Sequence, residues 1–185
     1  MSSWQSKLIN KTPVKPWKNL GYKLSESVIQ HLIDMHNTGK FDYEDIRFTG
    51  NYKGIELEDF DVGPDFGYFD HTGVPGLTQD LEQLPSLLNI DKVTVVTAEP
   101  NKYTVPHIDA YKDNFRRCVI LFPIMPIQKY YAPLRFNPGA QRVTYSSSIL
   151  INTDQEHFFK NNDHWRMNLQ LWMTQPYEEI YQLVK

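Results

Sequence analysis

One cysteine, Cys118, is present among 185 residues, so no disulfide can form within the chain. No apolar run approaches the roughly twenty residues that a membrane-crossing helix requires. Residues 1–7 lack the apolar stretch of a secretory signal. There is no basic run, and the net charge is only -3, which leaves no bulk electrostatic footprint for nucleic acid. Internal repeats, low-complexity tracts and linkers are missing too. These absences favour a single soluble, cytoplasmic domain spanning 1–185, with no nucleic-acid or membrane partner.

Hydrophobic residues supply 41% of the chain and charged residues 22%, enough apolar material for a core. Residues 1–90 read as an N-terminal arm followed by helices and loops. Two close prolines, Pro13 and Pro16, argue against a helix at the start, and Trp4 and Trp17 are expected to pack the arm back on the domain. Ser25 caps the strongest helical pattern, in which Val28, Ile29, Leu32 and Ile33 share a face and Gly39 marks the stop. Residues 41–76 crowd acidic and aromatic side chains between glycines and read as short strands or hairpins joined by solvated turns. A second short helix begins near Thr78, with Leu81, Leu84, Leu87 and Leu88 on one face and Pro85 limiting it.

From Lys92 onward the texture becomes β-branched and aromatic. Strands are expected at 93–97, 103–109, 115–122 (ended by Pro123), 134–136, 142–151 (one strand or two) and 165–174, before a terminal helix opened by Pro176. Many short strands with regular turn signals suggest a mainly β (α+β) fold: a jelly-roll or cupin-like core over 91–175, with the N-terminal helices packed outside and a C-terminal helix over 176–185.

His107 and Asp109 stand two apart in a strand pattern, so their side chains share a face. A distal histidine, His157, follows about fifty residues later and completes a candidate metal site of two imidazoles and one carboxylate. His164 competes with it but lies only two residues from Arg166. His31 and His36, five apart on a helix, are poorly spaced to share a metal, and His71 reads as a turn residue. Between Trp165 and Met173 apolar residues alternate with Arg166, Asn168, Gln170 and Trp172. That polar face either meets water or looks into a pocket, where a guanidinium grips a carboxylate in two-point fashion.

The order His107-x-Asp109, His157, then Arg166 resembles the Fe(II)- and 2-oxoglutarate-dependent dioxygenases with a double-stranded β-helix core. The local texture is most similar to their aspartyl/asparaginyl β-hydroxylase-like branch, with a proline-bearing turn (Glu99-Pro100-Asn101) before the first histidine and an arginine on the next strand. The resemblance covers about residues 90–175. It implies that His107, Asp109 and His157 hold Fe(II), with positions left for 2-oxoglutarate and O2. It implies that Arg166 pairs with the far carboxylate of 2-oxoglutarate and that Arg116, ahead of Arg117, approaches its other end. Cys118 stands where some members carry a further histidine. Asp109, a carboxylate in place of a small residue, implies hydroxylation over halogenation. The implied activity is hydroxylation of an amino acid, a peptide side chain or another small molecule, with release of succinate and CO2. Tyr103, Tyr111 and Trp172 are pocket candidates by nearness in sequence. Two other readings use the same residues: a Zn-dependent cupin-like hydrolase or isomerase, and a non-catalytic jelly-roll binding module.

Overall fold

The computed structural model describes residues 15–44, 51–52, 55–56, 65–104, 106–109, 117–125, 134–136, 141–143, 145–159, 161 and 164–184. Trp4, Tyr111, Arg116 and the Asn137-Pro138-Gly139 turn lie outside them. In chain order the elements are β1 (Trp17–Asn19), α1 (Glu26–Asn37), β2 (Asp42–Glu44), β3 (Asn51–Tyr52), β4 (Ile55–Glu56), β5 (Asp65–Tyr68), a 3-10 turn (His71–Gly73), α2 (Leu77–Leu81), β6 (Ile90–Ala98), β7 (Cys118–Met125), β8 (Leu134–Phe136), β9 (Gln141–Val143), β10 (Ile149–Asn152), β11 (His157–Phe159), β12 (Arg166–Met173) and α3 (Tyr177–Leu183). Among the described residues no helix is long and apolar enough to cross a membrane.

The larger sheet has the order β1-β10-β7-β12-β6-β5-β2, and the smaller one β11-β8-β9; every pairing is antiparallel. Thr104 and His107 extend the smaller sheet alongside β11. Thr104 N–H donates to the Phe159 carbonyl at 2.9 Å, and His107 and His157 exchange backbone hydrogen bonds at 3.0 and 2.9 Å. From β6 onward the chain therefore passes back and forth between the two sheets: β6 in the large one, 104–109 in the small one, then β7, the β8–β9 pair, β10, β11 and β12. Winding two faced sheets in this way produces a double-stranded β-helix.

The faces of the large sheet divide the apolar residues into two clusters. On the outer face Val93, Val95, Ile120, Phe122, Met167, Leu169 and Leu171 pack with Leu24, Val28 and Leu32 from the α1 region and with Tyr177 and Ile180 of α3. On the inner face Ala98, Val119, Leu121, Ile149 and Ile151 meet Tyr145 and Phe159, with Trp17 and Trp172 at the margins. Period-two alternation sorts β12 cleanly: Met167, Leu169, Leu171 and Met173 are fully buried outward, while Arg166, Asn168 and Gln170 face inward. Each outward side chain contributes about 1.5–3 kcal/mol of burial.

Several local expectations change. Trp17 does anchor the N-terminal segment, but as part of an edge strand, β1, paired with β10. Ser25 occupies the N-cap position of α1 without capping it; its Oγ–H donates instead to Asp80 Oδ2 at 2.9 Å, tying the helix start to α2. Two of the short strands expected within 41–76, β2 and β5, join the large sheet beside β6. Leu87 is 69% exposed, so the second helix ends before it. Strand β7 runs through Pro123 to Met125, because the register opposite that proline shifts between Met167 and Asn168 and relieves its missing N–H.

Candidate metal centre and the cavity behind it

His107 and His157 face each other across the 104–109/β11 pair as a mutually hydrogen-bonded couple, which puts both side chains on one side of the smaller sheet. Asp109 is fixed next to them by its own N–H, which donates to the Thr153 carbonyl at 3.0 Å. Both imidazoles turn Nε2 toward the same carboxylate: His107 Nε2 lies 3.2 Å from Asp109 Oδ1, and His157 Nε2 lies 3.7 Å from Asp109 Oδ2. The two rings are 4.6 Å apart, centre to centre. One ligand atom from each residue falls within 4.8 Å of the others. Two ligands about 2.1 Å from one ion and at right angles stand about 3 Å apart, so this spacing suits a common cation.

The tautomer of His157 follows from its second nitrogen. Nδ1 lies 2.9 Å from the Gln155 carbonyl oxygen, which only accepts, so Nδ1 carries the proton and Nε2 keeps the lone pair that points at the cluster. Asp109 and His157 are each 8% exposed. The other four histidines take no part. His36, on the last turn of α1, packs against Trp165, His31 is exposed on α1, His71 lies in the 3-10 turn, and His164 is exposed with its carbonyl accepting from Asn161.

Behind the cluster an open cavity of about 610 Å³ runs between the sheets. Its walls are apolar, with Val96, Ala98, Val119, Leu121, Ile151 and Phe159 prominent among them. Arg166 reaches into it from β12, opposite Ala98, and is only 6% exposed. The guanidinium carbon sits 4.9 Å from the centre of the Phe159 ring. Nη2 donates to Tyr145 Oη at 2.5 Å. With the Asn168 amide oriented so that its oxygen faces the guanidinium, Oδ1 accepts from Arg166 Nε at 2.9 Å and the amide nitrogen donates to Tyr145 Oη at 3.2 Å. Arg166 Nη1 is buried with no hydrogen-bond partner. A buried cation held by neutral groups on two of its nitrogens, with the third left unpaired, calls for an anion.

Arg117 and Cys118 are placed away from this cavity. Arg117 Nε pairs with Asp154 Oδ2 at 3.3 Å on the surface. Cys118 is buried in the outer cluster, its thiol 3.5 Å from the Gln175 carbonyl, and burial pushes its pKa up to about 12. Of the pocket candidates, Trp172 stands at the inner face, half-buried. Sequence reasoning missed Tyr145, whose hydroxyl sits between Arg166 and Asn168, and Asn161, whose amide donates to the Ala98 and Glu99 carbonyls at 3.0 and 2.7 Å and braces the strand end opposite Arg166. Asn168 was visible in the alternation of β12, and its partner was not.

No protein-family model matches the sequence, and no curated protein matches it. Solved structures do. A viral collagen prolyl hydroxylase from Paramecium bursaria Chlorella virus-1, solved as a 2OG complex, superposes with a TM-score of 0.57 at 12% identity over 85% of this chain and 94% of that one. A Trichoplax adhaerens prolyl hydroxylase, in complex with a peptide from the oxygen degradation domain of hypoxia inducible factor, gives 0.58 at 14% identity over 92% and 87%. The non-heme alpha ketoglutarate dependent carbocyclase SnoK from nogalamycin biosynthesis gives 0.55 at 13% over 85% and 79%. At this identity the likeness shows the double-stranded β-helix fold.

Proposed function

We propose that the chain is an Fe(II)- and 2-oxoglutarate-dependent oxygenase that hydroxylates an amino acid, a peptide side chain or another small molecule. The observation that carries this reading is the unpaired, buried Nη1 of Arg166, a residue that lines the same cavity as His107, Asp109 and His157. A metal site alone suits many chemistries. A metal site that shares a pocket with a buried, partly unpaired guanidinium suits a metal ligand that also carries a distant carboxylate.

The residues fit the group. His107 and His157 would bind iron through Nε2 and Asp109 through one carboxylate oxygen, leaving three positions open. Arg166 would take the far carboxylate of 2-oxoglutarate, with Tyr145 and Asn168 holding the fork in place from its other nitrogens. Iron with 2-oxoglutarate and O2 supplies oxidative decarboxylation to succinate and CO2, coupled to hydroxylation of a substrate C–H bond. The protein's part is to orient the cosubstrate between its two ends and to keep water out with Val119, Leu121, Ile151 and Phe159. The role of Arg116 at the other end of the cosubstrate, and membership of the aspartyl/asparaginyl β-hydroxylase-like branch, rest on the sequence pattern alone. A Zn hydrolase or a binding module leaves the Arg166 arrangement without use.

Anaerobic addition of Fe(II) and 2-oxoglutarate is expected to give a weak visible charge-transfer band, and His107→Ala is expected to abolish succinate formation. Absence of 2-oxoglutarate binding by calorimetry with metal present would overturn the reading.

A further inference from the structure

The inner-face pairs of β6 and β12 form a ladder from the floor of the cavity to its mouth: Ala98 with Arg166, Val96 with Asn168, Thr94 with Gln170, Lys92 with Trp172. The direction is fixed by backbone hydrogen bonds. Asp109 N–H donates to the Thr153 carbonyl, Thr153 N–H to the Arg117 carbonyl and Arg117 N–H to the Met173 carbonyl. The Met173 end of β12 therefore lies at the same end of the barrel as the metal-bearing segment, and Arg166 lies at the opposite end. Lys92 and Trp172 stand at the mouth.

The groups there are ordered. The Trp172 indole N–H lies 3.1 Å from both Thr94 Oγ1 and Gln170 Oε1, which fixes the plane of the ring. Phe66, from β5, lies edge-on to it with centres 6.1 Å apart and also lines the cavity. The Lys92 ammonium is held 4.7 Å from the centre of the Trp172 ring and 5.0 Å from that of Tyr68. Among the described residues no carboxylate pairs with it. The arrangement is an apolar platform with one positioned, solvent-facing positive charge beside the opening.

We propose that this platform is the substrate-recognition surface and that Lys92 selects a substrate bearing a carboxylate. The inference rests on the oxygenase reading and names its substrate class. The apolar body of the substrate lies on Phe66 and Trp172, its carboxylate accepts hydrogen bonds from the Lys92 ammonium, and the C–H to be attacked points inward to His107, Asp109 and His157. Neutral analogues keep the stacking contacts and lose the charge-assisted hydrogen bond.

The test measures succinate release with Fe(II) and 2-oxoglutarate over a panel of carboxylic acids, each run beside its primary amide. One arm holds free amino acids and other small acids; a second holds short peptides with acidic side chains, which separates the two sources of the carboxylate. Acids in one arm are expected to stimulate turnover and their amides are not. Lys92→Met is expected to raise the half-saturating acid concentration about tenfold or more, and Lys92→Arg to recover most of the loss. Stimulation by amides equal to that by acids, an unaltered response in Lys92→Met, or no stimulation by any acid overturns the proposal. Calorimetry of 2-oxoglutarate on the Mn(II)-loaded wild type separates the failures. Without binding the oxygenase reading falls as well; with binding, only the role of Lys92 falls.

Discussion

Replacing Arg166 with methionine is expected to move two measurements in opposite directions. Without ligand, the wild type holds a guanidinium that is 6% exposed, has a bare Nη1, and has its ring neighbour Phe159 at 4.9 Å. An apolar chain of similar length removes the cost of that buried charge. Such replacements are often stabilising by about 1–4 kcal/mol. Here the gain falls at the low end, about 1 kcal/mol, because Tyr145 and Asn168 lose a partner. In a chain of this size that raises the melting temperature by about 2–4 °C. With ligand the sign reverses. Losing one member of a buried, hydrogen-bonded charge pair costs about 2–5 kcal/mol, or roughly 30-fold to a few thousandfold in the 2-oxoglutarate Kd. At a concentration 100 times the wild-type Kd, 2-oxoglutarate stabilises the wild type by about 2.7 kcal/mol and the variant by less than about 1 kcal/mol. The assay is a pair of thermal melts on Mn(II)-loaded protein with and without 2-oxoglutarate, together with calorimetric titration. A variant that binds 2-oxoglutarate within about threefold of the wild type refutes the reasoning, since that change is under 1 kcal/mol. So does a variant that is less stable in the absence of ligand.

Three other outcomes are expected. At Gly67, an added methyl would stand 2.6 Å from Val95 Cγ2, 2.9 Å from Tyr43 Cε1 and 3.0 Å from Phe41 Cβ, so Gly67→Ala should destabilise by about 1–3 kcal/mol in urea melts. Cys118 is buried with its pKa pushed up to about 12, so it should resist alkylation by iodoacetamide at pH 8 in the native protein and react once the chain is denatured. His36, whose Nδ1 lies 2.6 Å from Tyr43 Oη and whose ring stacks 4.3 Å from Trp165, has its pKa lowered by burial. The unfolded chain then takes up this proton first. Its contribution to stability is complete above the ordinary value of 6.5 and is lost as pH falls from there through the lower folded value. His36→Gln should flatten that part of the profile of melting temperature against pH relative to the wild type, and an identical slope in the two proteins would contradict the assignment.

What the sequence made legible was periodic, and what it hid was long-range. Alternation from Arg166 to Trp172 marked the inner face of β12, and His107-x-Asp109 marked one side of a paired segment, because both follow from the two-residue repeat of a strand. The position of His157 opposite His107 is a matter of register between segments fifty residues apart, which no local pattern encodes. Tyr145 sits in a non-repetitive turn before β10, and only the closure of the barrel brings its hydroxyl to Arg166. Short strands were legible within 41–76, but that β2 and β5 join the large sheet beside β6 was hidden for a related reason: the pairing joins segments about thirty residues apart.

The same alternation explains why the candidate metal ligands and a buried arginine can share so small a barrel. On β12 every outward residue is fully buried in the outer cluster, so the strand is held by its backbone pairing with β6 and β7 and by the packing of Met167, Leu169, Leu171 and Met173. The inward residues are thereby free of any duty to hold the sheet together. Arg166, Asn168, Gln170 and Trp172 can carry charge, amides and an indole without loosening the fold, provided that each finds a partner. Gln170 and Trp172 find one another, and Asn168 finds Tyr145 and Arg166. Only Arg166 retains a buried polar atom with none. In a strand otherwise so fully satisfied, that one deficit is the position where a ligand adds most to the stability of the protein, and it lies at the end of the cavity farthest from the mouth. On the proposed reading, a cosubstrate bound there would be held by its far end, which would leave its near end for the metal and the platform of Phe66, Trp172 and Lys92 open for the second substrate.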